Sequence, residues 1–172
     1  MVIKRLLKWA WRHNEESKKW SAGTKSFSSP IFDDLSDPWN EDSLEWDLAI
    51  IRKRIPAEYG KTIDCDSGWH QIIVDCDRAL QKIDPDYVPI QIKQKFGGLR
   101  FYFNTKFSHP ANPNIDSKYE ALMATVRYYE DLASVTCEIS GTPGVLMKKG
   151  SWLKTLNPDF APEGYEIVIS PF

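Results

Sequence analysis

Residues 87–103 constrain the fold more than any other stretch. Val88, Ile90 and Ile92 alternate with Pro89, Gln91 and Lys93, and Leu99, Phe101 and Phe103 alternate with Arg100 and Tyr102. Phe96-Gly97-Gly98 separates the two runs. A period of two sends successive side chains to opposite faces of a strand, so the segment predicts a β-hairpin with one apolar face. An apolar sheet face must be covered, and the flanking sequence supplies the covers. In residues 66–83, Trp69, Ile72, Ile73, Cys76, Leu80 and Ile83 recur at helical spacing. Gln71, Asp75, Arg78 and Lys82 form the wet face of that helix, with Asp75 placed to pair with Arg78. Asp66 or Ser67 is placed to cap it, and Asp84-Pro85-Asp86 ends it. A further helix is predicted over 116–136, with Tyr119, Leu122, Met123, Val126, Tyr129 and Leu132 on one face. A short apolar run at 145–147, a turn, residues 152–156 and an alternating end at 165–170 add strands. The expected fold class is α+β, with helices packed on a small antiparallel sheet.

Length and composition agree with this. The chain has 172 residues, 42% of them hydrophobic and 27% charged, which excludes wholesale disorder. We expect one α+β domain over 31–172, preceded by a basic helix and polar linker over 1–30. The longest apolar run is residues 48–51, far short of the ~20 a membrane span needs. Three cysteines, Cys65, Cys76 and Cys137, cannot all pair with one another, and charges interrupt the N-terminal apolar stretch. Both features suggest a cytoplasmic protein with reduced thiols and no signal peptide.

Charge is balanced overall, at −2, but not along the chain. Residues 2–20 carry six basic and two acidic side chains on an amphipathic pattern. That suits a helix with a solvated basic face; a membrane-surface helix is the alternative. Residues 33–47 hold seven acids and no base: Asp33, Asp34, Asp37, Glu41, Asp42, Glu45 and Asp47, with Trp39 and Trp46 among them. Acids suit the first turn of a helix, and Leu44, Leu48, Ile51 and Ile55 continue at helical spacing to Arg52-Lys53-Arg54 and Pro56. The same segment could cover a basic site on a partner protein. On the hairpin, Gln91, Lys93, Lys95, Arg100 and Tyr102 share the outward face. A basic, aromatic strand face can bind single-stranded nucleic acid, or can simply blunt a sheet edge in solvent.

Cys65-Asp66-Ser67-Gly68-Trp69 and Gln91-Ile92-Lys93-Gln94-Lys95-Phe96-Gly97-Gly98-Leu99-Arg100-Phe101-Tyr102 resemble a family of small bacterial and phage proteins with no established activity. The likeness runs over about 65–160. In that family the tail resembles a zinc ribbon, with ligands at positions matching 137, 140, 157 and 160. Here the frame persists as Thr136-Cys137, Gly141, Pro143-Gly144 and 152–156, but those four positions hold Cys137, Ser140, Asn157 and Phe160. Structural zinc needs four thiolate or imidazole ligands. We therefore expect no metal and no cofactor, Cys137 as a small apolar residue, and packing by the last strand and Phe160 in place of the site.

Catalytic constellations are sparse. Cys76 and His70 are six residues apart on one helix and point away from each other. Cys65 and His70 could meet across the helix start, where the dipole would lower a thiol pKa. Gly97-Gly98 lies between strands, so it is not a phosphate-binding loop. No catalytic residue is assigned. The expectation is a non-enzymatic protein-binding protein, of the immunity, antitoxin or phage anti-defence kind, whose partner is a toxin or defence enzyme. A nucleic-acid-binding module descended from zinc-ribbon relatives and a Cys65-dependent enzyme are the alternatives.

Overall fold

A computed structural model describes residues 41–107 and 117–169. Contacts along the chain separate residues 1–40 from 41–172, and the described residues all belong to the second unit. The expected basic helix, the linker and the residues up to Trp39 lie outside the described residues.

Among the described residues, three α-helices pack with two small sheets, so the fold is α+β. Helix α1 is Glu41–Arg54, and its Leu48, Ile51 and the following Ile55 are buried. Helix α2 is His70–Ile83, entered through a 3-10 turn over Ser67–Trp69. Helix α3 is Ser117–Ala133. The first sheet has the order β1-β2-β3, where β1 is Ile63–Asp64, β2 is Val88–Lys95 and β3 is Gly98–Asn104. The second has the order β5-β4-β6, from Val145–Lys149 (β4), Trp152–Leu156 (β5) and Glu166–Ile167 (β6). Among the described residues, no helix is long and apolar enough to cross a membrane.

The hairpin is present with two departures from the sequence pattern. Its loop is two residues, because Gly98 already pairs with Lys95. Phe96 and Gly97 both have positive φ, at 55° and 78°, the signature of a primed hairpin turn whose twist matches the strands. The register also shifts between Pro89 and Gln91, so Ile90 is the extra residue of a bulge. The bulge reverses the alternation: Pro89 is buried while Val88 and Ile90 are half-buried. Beyond it the pattern holds, with Ile92, Leu99 and Phe101 on the core side. Two-residue β1 adds a parallel edge beside β2, too short to leave a periodic trace in the sequence.

One core joins the faces of the three helices to the hairpin, with Trp69, Ile73, Leu80, Ile92, Leu99 and Leu122 fully enclosed. Each such side chain contributes about 1.5–3 kcal/mol by leaving water. A polar network fastens its rim. The Asp77 carboxylate accepts bonds from Arg54 Nη1 at 2.7 Å, from Gln81 Nε2 at 2.5 Å and from the Tyr87 hydroxyl. Arg54 Nη2 reaches the Tyr87 carbonyl at 2.8 Å, and its guanidinium lies 4.5 Å above the Tyr87 ring. This ties the end of α1, the middle of α2 and the entry to β2 at one point.

The second sheet has its own small cluster of Cys137, Met147 and Leu156, flanked by Ala161 and Tyr165. Phe160 is not part of it. Phe160 is 71% exposed, so the expected packing by Phe160 does not occur; Ala161 and Tyr165 pack against the cluster instead.

Candidate functional site

The Gly-Trp helix start works as a clasp. Gly68 N–H donates to the Glu138 carbonyl at 2.7 Å, and Trp69 Nε1 donates to the Thr136 carbonyl at 2.8 Å. Asp66 does not cap the helix with its side chain, contrary to expectation. Its carboxylate instead takes a 2.5 Å bond from Lys154 Nζ, and the Asp66 N–H donates to Glu138 Oε1 at 3.3 Å. Ser67 likewise does not cap; its hydroxyl lies 3.4 Å from the Ile139 carbonyl oxygen. Backbone and side chains of 66–69 thus bind the 136–139 loop and Lys154 of β5.

Glu138 is the unusual member, at 1% exposure. Its Oε2 lies 3.4 Å from Lys154 Nζ, yet no donor among the described residues hydrogen-bonds it. Burial raises the Glu138 pKa, with Lys154 opposing. Burial lowers the Lys154 pKa, but Asp66 and Glu138 outweigh it and hold the amine above its ordinary value. A carboxyl raised on folding binds its proton more tightly in the native state. Its contribution is therefore largest below the unfolded carboxyl pKa and is lost as pH rises through the folded value. Glu138→Gln should accordingly gain on the wild type, in urea midpoint, between about pH 4 and about pH 7. A constant gap between the two proteins over that range would contradict this placement of Glu138.

The cysteine-enzyme alternative requires an activated Cys65 beside His70. Burial pushes the Cys65 thiol up to about 12, helped by Glu138, Asp66 and Asp64, so the helix start does not activate it. His70 turns towards Glu45, with Nδ1 at 3.6 Å from Oε1, instead of meeting Cys65. Burial lowers the His70 pKa, with Glu45 opposing. Alkylation of Cys65 at neutral pH should run about a thousandfold slower than that of a free thiol, since the thiolate reacts. Labelling at the free-thiol rate, mapped by mass spectrometry, would refute this.

Cys137 is buried but is not merely apolar. Burial pushes its thiol up. Hydrogen bonds from the Ser140 hydroxyl and from the backbone N–H groups of Ser140, Asn157 and Ile139 outweigh that and bring it below the ordinary value. Ser140 Oγ lies 2.8 Å from Thr142 Oγ1, which also accepts from Asn157 Nδ2 at 3.0 Å. Positions 137, 140 and 157 therefore do converge, while 160 points outward. One thiol, a hydroxyl, a carboxamide and a phenyl ring do not fit tetrahedral zinc. Among the described residues, no group of three His, Cys, Asp or Glu side chains is placed to hold a metal.

The two surfaces singled out in the sequence fare differently. Of the acidic segment, Asp33, Asp34, Asp37 and Trp39 lie outside the described residues; Glu41 and Asp42 open α1. Glu45 pairs with Arg52 at 3.7 Å as well as with His70, and Asp47 takes a 2.7 Å bond from Arg78. Part of the acidity is thus internally committed. Trp46 is not: it is 69% exposed, and Ile50, one turn on, is 42% exposed. Helix α1 has a second apolar face directed away from Leu48 and Ile51, which helical periodicity alone did not separate from the first. On the hairpin, the register sets Lys93 opposite Arg100 and Gln91 opposite Tyr102, so the expected basic face is assembled on one side. Lys93 Nζ lies 5.9 Å from the Tyr102 ring centroid. Arg100 folds back, donating from Nη1 to the Leu99 carbonyl at 2.7 Å.

Compared with protein-family models, curated proteins and solved structures, the chain matches none. The resemblance of the Gly-Trp start and the hairpin to the bacterial and phage family thus rests on those residues alone.

Proposed function

We propose that this is a non-enzymatic protein-binding protein that covers a basic site on its partner, as an immunity protein, antitoxin or phage anti-defence inhibitor would. The observation that carries the reading is the outward pair Trp46 and Ile50 on a helix whose first half is acidic and whose other face is already buried in the core. A tryptophan left in water forfeits the stabilisation it would gain by burial, and tryptophan is the residue most enriched among interface hot spots. The acids of 33–47 would steer encounter with a basic surface, and Trp46 would anchor the complex. The raised Cys65 thiol weighs against the cysteine-enzyme alternative.

Paired affinity capture tests this, with wild type and a Trp46→Glu/Ile50→Glu variant as baits in a lysate of the source cells. The expected result is a basic protein retained by the wild type, released by salt, and absent from the variant at equal fold stability. Identical captures by both baits would overturn the reading. With that partner, replacing the seven acids by Asn and Gln should slow association about tenfold or more at low salt. An unchanged on-rate would remove the acids from the interface.

A further inference from the structure

The tip of the β2–β3 hairpin is docked through Gly97, whose carbonyl accepts from Thr155 Oγ1 at 2.7 Å, while Phe96 beside it stays open. The first position of a two-residue primed turn favours Asn, Asp or Gly, which tolerate positive φ. Phe96 occupies it at φ 55°, a conformation that is strained for a bulky side chain, and its ring is 70% exposed. Across a cleft of about 300 Å³, lined also by Gln94, Lys95, Ser151 and Leu153, stands Trp152 at 72% exposure. Further along the outward face Tyr102 is 45% exposed.

The charge beside these rings is equally uncommitted. Arg52, Arg54, Arg78, Lys106, Arg127 and Lys154 each form an ion pair within the chain. Among the described residues, Lys93 and Lys95 form none within 4.0 Å, and neither do Lys53, Lys61, Lys82, Arg100, Lys148 and Lys149. Lys95 Nζ sits 5.3 Å from the Phe96 ring centroid, whereas Lys148 pairs in register with Leu153 and so lies on the face of β4–β5 away from Trp152. Asp64, paired in register with Lys93, and Glu130 and Asp131, in a second cleft behind Phe96 with Arg100, bound the basic strip.

We propose that this tip binds a single strand of nucleic acid, with bases stacked on Phe96 and Trp152 and phosphates at Lys93 and Lys95. Open rings flanked by unpaired lysines offer what a strand supplies repeatedly, a flat π-face and a negative charge. An acidic peptide would satisfy the lysines but has no general use for two open, flat rings. This site is separate from α1 and does not depend on the protein-binding reading.

The test is fluorescence anisotropy of the full chain with labelled twenty-nucleotide oligo-dT and oligo-U, at about 50 and about 200 mM salt. The tip should contribute a log–log salt slope of about −1.4, for two phosphates on a single strand. Residues 2–20 carry +4 and would add salt-dependent binding of their own, so the ring variants decide. Phe96→Asn should weaken binding about tenfold while the melting temperature holds or rises, because asparagine suits the turn. Trp152→Ala should also cost about tenfold. Three results would each overturn the proposal: no binding at the lower salt, binding that survives both substitutions, or capture of an acidic aromatic peptide at the tip without capture of the oligonucleotides.

Discussion

Gly68→Ala is expected to cost the fold about 3 kcal/mol or more, a larger loss than an ordinary glycine replacement. An added Cβ would lie 2.6 Å from the Glu138 carbonyl oxygen and 2.5 Å from the Gly141 nitrogen, with the Cys137 carbonyl oxygen nearer still. All three are backbone atoms, so no rotamer change relieves the clash. The 66–69 turn would have to withdraw, breaking the Gly68 and Trp69 bonds and drawing Lys154 away from Asp66. Gly60→Ala is the matched control: its φ is 84° but nothing lies within 4 Å of an added Cβ. That change should cost only about 1 kcal/mol, for the positive φ. Urea unfolding of both variants decides the matter. Equal midpoints would mean that the clasp does not hold the 136–141 loop as described.

Asp77→Ala should cost about 3–5 kcal/mol, because it leaves a charge without its partner. The Asp77 side chain is 6% exposed and that of Arg54 25%. Removing the carboxylate takes away the guanidinium's counter-ion, leaving it only the Tyr87 carbonyl and ring, and leaves the Tyr87 hydroxyl without its acceptor. Asp77→Asn retains the shape and one acceptor oxygen, and should recover part of the loss. A Tyr87→Phe/Asp77→Ala double variant should lose less than the sum of the singles, since the two groups share one network. Strict additivity would show that they act separately.

The sequence makes the hairpin and helices legible because each buries one face, and a buried face imposes a period. Ile92, Leu99 and Phe101 are where alternation places them, and Trp69, Ile73, Cys76 and Leu80 fall on one helix face. The bulge at Ile90 escapes such a reading, because one inserted residue exchanges the faces without altering composition. Nor could periodicity reveal Asp66 with Lys154, 88 residues apart, or Arg54 with Asp77, 23 apart. Those pairs exist only once the elements are packed. The candidate surfaces divide the same way. The outward face of β2–β3 follows from parity, whereas Phe96 beside Trp152 depends on how two hairpins meet. On α1, Trp46 stood out in the sequence for its acidic company, but its exposure is set by which side of the helix the core takes.

The most direct test is the dissociation constant of Trp46→Ala for the protein recovered by paired capture, measured beside its melting temperature. At unchanged melting temperature, affinity should fall about thirtyfold or more, as loss of a hot-spot tryptophan does. An affinity within about twofold of wild type would contradict the assignment of the outward face of α1 as the contact surface.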